Sequence, residues 1–190
     1  MLSLLQQIDT NLFFFVNNGL SNPVLDWLMP VITTKQNWYP LFLIIIVGLL
    51  WKGGKQGRIV VLLLIPVIVL SDQISASLIK PLVDRMRPCE AFEALGTVNM
   101  LIGKKTSPSF PSSHAANSFA AAAFFAFYYP KRQWIYYTIA AIVGFSRVYV
   151  GVHYPLDVLA GAILGLFCAA VVYFGYEFIK GKISKRRHLT

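Results

Sequence analysis

The stretch 59–79, IVVLLLIPVIVLSDQISASLI, decides the fold. A helix crossing about 30 Å of hydrocarbon needs roughly 20 mainly apolar residues, and this stretch supplies them. Pro66 reads as a tolerated kink, because a membrane helix can satisfy the freed backbone group locally. Working outward, apolar runs recur at 36–51, 114–129, 134–150 and 156–179. Residues 114–129, HAANSFAAAAFFAFYY, are rich in small side chains, which suits close helix packing in a bundle. Trp38, Tyr39 and Trp51 bracket the shortest run like interfacial anchors.

Composition agrees. Of 190 residues, 56% are hydrophobic and 13% charged, where soluble domains carry about 25% charged residues. So few charges disfavour a soluble globule, and 14% aromatics exclude disorder. The chain reads as an all-α integral membrane protein, a single membrane domain over 1–190. About five spans occupy 36–179, and a basic cytoplasmic tail follows at 180–190. Residues 1–35 carry Leu, Phe and Ile at helical spacing, interrupted by Asn17, Asn18, Gly19, Asn22 and Pro23. They predict N-terminal interfacial amphipathic helices, with a sixth span as the alternative. The first residues show no basic n-region and no small-residue cleavage site, so no removable signal peptide is expected. Cys89 and Cys168 have neither disulfide context nor metal-ligand spacing.

Lys and Arg in short loops set orientation. Lys52, Lys55 and Arg58, then Lys131 and Arg132, then Lys180, Lys182, Lys185, Arg186 and Arg187 all fall on one face. That face is expected to be cytoplasmic, which turns the segment 80–113 and the turn 151–155 outward. Much of the net charge of +9 is therefore topological. Basic stripes with interleaved stacking aromatics are absent, so nucleic acid is not an expected partner.

Ionisable residues at span ends are functional candidates by default, and three groups meet on the outward face. Lys80 and Arg87 lie seven residues apart in KPLVDRMRP, close to two helical turns, which would put both on one face unless Pro81 breaks it. Lys as a point charge and Arg as a bidentate fork suit a phosphoryl group. In Pro111-Ser112-Ser113-His114 either serine can cap the following helix, whose free N–H groups and positive dipole end bind anions. Third, Arg147 closes one span, and His153 and Asp157 stand four apart at the start of the next. A carboxylate on one ring nitrogen leaves the other free as nucleophile or base. His188, in the tail, reads as inert. No ligand-spaced set of His, Cys, Asp and Glu supports a metal site.

These residues resemble the type 2 phosphatidic acid phosphatase superfamily, whose motifs are K-x6-R-P, P-S-G-H and S-R-x5-H-x3-D. They match here as Lys80…Arg87-Pro88, Pro111-Ser112-Ser113-His114 and Ser146-Arg147…His153…Asp157. The one departure is Ser113, where the family usually has Gly to offer a backbone N–H. Serine keeps that N–H and adds a hydroxyl.

The resemblance implies a metal-independent lipid phosphatase with no cofactor. His153 would attack phosphorus, Asp157 would orient it, and His114 would protonate the leaving oxygen. Lys80, Arg87, Ser112, Ser113 and Arg147 would hold phosphate. The expected substrate is a membrane lipid phosphate or diphosphate: undecaprenyl diphosphate, lipid A 1-phosphate or phosphatidylglycerol phosphate. The expected site is the cell (inner) membrane, multi-pass, with the active site facing the periplasm or exterior and no obligatory protein partner. The alternatives are phosphotransfer to an acceptor lipid through the same intermediate, or a silent lipid-phosphate binding or transport protein. Vanadium haloperoxidases share the superfamily but are soluble and longer.

Overall fold

The run around residue 59 is helical and longer than its apolar core. Helix α4 spans Gly54–Gln73, passes through a π-helical turn at Ile74–Ile79, and ends as α5, Lys80–Val83. Asp84 then adopts a left-handed conformation at φ 43° and stops the helix. The computed structural model describes residues 4–187, and no strand occurs among them. His188 lies outside the described residues.

Among the described residues two stretches are long and apolar enough to cross a membrane unaided: the one beginning at Gly54, and Pro155–Lys185, each with a mean hydropathy of 2.3 over its best window. The second belongs to α9, Pro155–Arg187, which continues through the basic segment expected as a tail. Shorter apolar helices are α3, Tyr39–Lys52, α7, Ser113–Tyr128, and α8, Gln133–Tyr149. Leu43, Ile44, Leu62, Ile65, Ile163, Phe167 and Phe174 are all exposed. An apolar belt that large on a folded protein marks contact with lipid rather than water. The predicted loop 51–58 contracts to the Gly53–Gly54 joint, with Gly54 at φ 58°. There the Gly53 and Gly57 positions would each put a Cβ 2.3 Å from the Leu49 carbonyl.

The N-terminal region forms two short helices, α1, Leu4–Phe14, and α2, Pro23–Thr33. Asn22 caps α2 by accepting from the Val24 and Leu25 amides. α1 continues through a π-helical segment, Phe15–Gly19, so at 1.5 Å per residue it reaches at most about 24 Å and α2 about 16 Å, both short of a hydrocarbon core of about 30 Å. Neither spans alone. Both pack on the end of the bundle where α8 stops and α9 starts: α1 sets Phe13 against Val148 and Tyr154, and α2 sets Met29 against Tyr149 and Val150.

The central packing event is α7 against α9. Ala115, Ala116, Ala120 and Ala123 of α7 are buried, and α9 meets them with Gly161 and Gly165. A Cβ on Gly161 would lie 2.4 Å from the Ser112 carbonyl, and one on Gly165 would lie 2.2 Å from the Ala116 carbonyl. This small-xxx-small seam lets two backbones touch. It also brings the two helix starts, Ser113 and Pro155, side by side: the Ser112 amide donates to the Asp157 carbonyl at 2.9 Å.

Candidate active site

A cavity of about 320 Å³ opens at those helix starts. Lys80, Arg87, Lys105, Ser113, His114, Arg147 and His153 line it with Ala76, Pro81, Ser107 and Pro108, and none of these lining residues is acidic. Lys80, Arg87, Arg147 and His153 are all buried.

Each of the three buried cations is held by chain that is distant in sequence. Lys80 Nζ donates to the Pro108 carbonyl at 2.5 Å and to the Ser109 carbonyl at 3.4 Å. Arg87 Nε donates to the Ser107 carbonyl at 2.6 Å, and its Nη1 to the Val152 carbonyl at 2.8 Å. The two do not share a helix face as their spacing predicted. The helix ends at Val83, the left-handed turn at Asp84 redirects the chain, and Arg87 enters the cavity from extended backbone. Arg147, in the last turn of α8, donates through Nη1 to Thr33 Oγ1, and its buried Nε–H has no acceptor among the described residues. Leaving such a donor unpaired costs about 1–3 kcal/mol or more, which an anionic oxygen in the cavity would offset.

His153 sits in the turn before α9 rather than on it, so the four-residue spacing to Asp157 is not a helical i, i+4 pair. Asp157 is the third residue of α9, and its Oδ2 accepts the Tyr154 amide at 2.9 Å, the acidic half of a capping box. That same oxygen lies 3.4 Å from His153 Nδ1 and accepts a short hydrogen bond from Ser109 Oγ. On the other side of the ring, Arg87 Nη1 is 3.1 Å from His153 Nε2. A guanidinium can only donate, so Nε2 is the acceptor and the ring proton rests on Nδ1, toward Asp157. Burial drives the His153 pKa down to about 3 despite the pull of the Asp157 bond in the other direction. The ring is neutral near pH 7, with its free lone pair on Nε2.

Ser112 is the N-cap of α7, with Oγ accepting the Ala115 amide at 3.5 Å. Ser113 lines the cavity and shares a 2.7 Å hydroxyl–hydroxyl hydrogen bond with Ser75, in the π-helical turn of the α4–α5 stretch. π-Turns of this kind recur at functional sites. His114 follows in the first turn of α7, at the cavity wall.

Known proteins resemble this chain in both sequence and fold. The sequence model of the PAP2 superfamily matches residues 60–179. The chain belongs to the PAP2 superfamily. It is 34% identical over 182 residues to the lipid A 4'-phosphatase of Bacteroides thetaiotaomicron, covering 92% of this chain and 79% of that protein. The lipid A 4'-phosphatase of Porphyromonas gingivalis is 27% identical over 93% of this chain and 76% of its own length. Among solved structures, the crystal structure of Aquifex aeolicus LpxE is similar, with a TM-score of 0.73 and 28% identity over 87% of this chain and 94% of that one.

The PAP2 motifs thus converge in space: Lys80, Arg87, Ser113, His114, Arg147 and His153 line one cavity, with Asp157 directly behind His153 and Ser112 beneath Ser113. Ser146 stays outside, its hydroxyl donating to the Val143 carbonyl in its own helix. Sequence reasoning missed Ser107, Pro108 and Ser109, whose carbonyls and hydroxyls hold the cations and Asp157. It also missed Arg85 as a site residue and Asp9 altogether. Arg85 sits two residues before Arg87, which was a signal of sorts. Asp9 is a lone carboxylate within an apolar helical pattern near the start of the chain, and that misfit was the cue.

Proposed function

We propose that this PAP2 chain hydrolyses a membrane lipid phosphate through a phosphohistidine at His153, on the outward face of the membrane. The observation that carries the reading is His153 itself: a neutral imidazole, proton directed to Asp157, with Nε2 aimed into a cavity walled by Lys80, Arg87 and Arg147. Arg87 Nη1 occupies the Nε2 lone pair. A phosphate oxygen, being anionic, competes for that N–H and releases the nucleophile as it binds.

His153 Nε2 then attacks phosphorus while the P–O bond to the lipid breaks. His114, which takes up a proton from solvent once the bound phosphate offsets the surrounding cations, gives that proton to the leaving oxygen, and Asp157 stabilises the charge that develops on the imidazole. In the second step water attacks phosphorus, His114 takes its proton, the P–N bond pair returns to Nε2, and phosphate leaves. Lys80, Arg87, Arg147 and the α7 start with Ser112 and Ser113 neutralise the equatorial oxygens throughout. A wall of fixed cations without a lining carboxylate supports metal-free chemistry, because Mg²⁺ and Ca²⁺ are bound through carboxylate and carbonyl oxygens.

A phosphate on lipid A is the substrate best supported, since two relatives covering more than nine-tenths of this chain carry that activity in their names. Undecaprenyl diphosphate is the second candidate, from a relative of that name in Sulfolobus acidocaldarius that is 34% identical over 67% of the chain. The test is phosphate release in detergent from lipid A, undecaprenyl diphosphate, phosphatidylglycerol phosphate and phosphatidic acid, with EDTA present. Release from at least one, lost in His153→Ala with an unchanged melting curve, supports the reading. Full activity in His153→Ala, or activity abolished by EDTA, overturns it.

A further inference from the structure

Arg85 joins two buried carboxylates, and the mechanism above does not use it. Its Nη1 donates to Asp157 Oδ1 at 2.7 Å and its Nη2 to Asp9 Oδ2 at 2.6 Å. Both carboxylates are fully buried, and the guanidinium carries the connection between them. Its carbon lies 3.9 Å from the centre of the Tyr154 ring, the residue between His153 and Pro155. Asp9 in turn uses Oδ1 to accept the Leu156 amide at 2.9 Å, the residue beside Asp157. A second contact joins the same elements: Phe13 of α1 lies 5.6 Å, ring to ring, from Tyr154.

We propose that α1 is a working part of the active site, with Asp9 and Arg85 as positioning residues that hold Asp157, and through it His153, in the attacking geometry. This rests on the phosphohistidine reading above. Asp157 has few degrees of freedom left. Oδ2 takes Ser109 Oγ, the Tyr154 amide and His153 Nδ1, while Oδ1 takes Arg85. Asp9 keeps Arg85 from collapsing wholly onto Asp157. The three charged groups together carry one net negative charge, so Asp157 retains the capacity to stabilise a phosphorylated, positively charged ring. Neutralising Asp9 would leave a neutral Arg85–Asp157 pair and withdraw that stabilisation. The N-terminal helix would therefore report on catalysis although it supplies no atom to the cavity.

Asp9→Asn separates this role from a structural one, because asparagine is isosteric and its Oδ1 still accepts the Leu156 amide. Turnover is expected to slow by about 10- to 100-fold, the range for loss of an outer partner of a site ligand, with KM within twofold of wild type. Asp9→Glu should recover part of it. Arg85→Gln should lose at least as much as Asp9→Asn, and the double variant no more than Arg85→Gln alone, because the pair acts as one unit. Independently of turnover, the ¹⁵N resonance of His153 Nδ1 in histidine-labelled enzyme should move in Asp9→Asn. An unmoved resonance, or turnover within twofold of wild type, overturns the proposal. A wild-type enzyme that releases phosphate from none of the four lipids sinks the phosphatase reading instead, and the His153 resonance still decides this one.

Discussion

Arg87 Nη1 stands 3.1 Å from His153 Nε2, so the proposed phosphate ligand also caps the proposed nucleophile. The same nitrogen is anchored to the Val152 carbonyl, next to His153 in the chain. In the proposed mechanism, binding and activation are thereby coupled through one nitrogen.

Arg87→Lys should weaken catalytic efficiency by about 10²- to 10³-fold, the effect of removing one preorganised donor from a developing anion. Lysine keeps the charge but cannot hold Ser107, Val152 and His153 together as a planar fork. Steady-state phosphate release measures it, and a loss below threefold would show that charge alone suffices.

The His153 ring should stay neutral from pH 5 to pH 8 in the free enzyme, because burial holds its pKa near 3. Ring ¹⁵N shifts in labelled protein should be flat over that range, and a titration near 6.5 would contradict the buried geometry. The stability consequence has a definite sign. Between about pH 6.5 and pH 3 the unfolded chain takes up a proton at His153 that the folded chain refuses, so stability falls as pH is lowered through that window. His153→Asn should therefore melt with a weaker pH dependence between pH 6 and pH 4 than wild type.

Gly165→Ala should destabilise the protein by roughly 1–3 kcal/mol, the usual cost of overpacking, because its Cβ would sit 2.2 Å from a backbone carbonyl of α7. Activity should fall with it, since the same seam brings His114 and His153 to one cavity. Gly175→Ala, ten residues further along α9 with nothing within 4 Å, is the control and should melt at or above the wild-type temperature. Thermal unfolding in detergent reads both, and equal melting of the two variants would remove the seam from the account.

Lys104→Cys should react with a membrane-impermeant maleimide in intact cells. Residue 104 is exposed beside Glu93, on the cavity side of the bundle, and the native Cys89 and Cys168 are buried. Labelling only after permeabilisation would turn the site toward the cytoplasm.

Hydropathy and motif spacing read directly the features that depend on near neighbours. Apolar runs of bilayer length gave membrane helices near 59–79 and 156–179, and Ser112 before an alanine-rich run gave a capped helix start at the cavity. That Lys80, Arg87, His114, Arg147, His153 and Asp157 form one candidate cluster was also legible, because they are polar residues at positions where lipid permits them only for a reason. The route by which they meet was not. Lys80 and Arg87 converge through a left-handed turn at Asp84, not along a helix face, and His153 meets Asp157 across a capped helix start.

What only the tertiary structure decided is the layer behind the cavity. Asp9 and Arg85 are 76 residues apart, and Arg87 and His153 are 66 apart. Periodicity carries no information at those separations, because the pairings depend on how closely α7 and α9 approach and where that leaves the ends of α1 and α8. Local residue chemistry determined by itself that this chain lies in the membrane and gathers cations around two histidines. Backbone contact at Gly161 and Gly165, a property of two helices together, decided that those groups share one cavity, and the tertiary fold set Asp9 of the N-terminal helix on Arg85 behind Asp157.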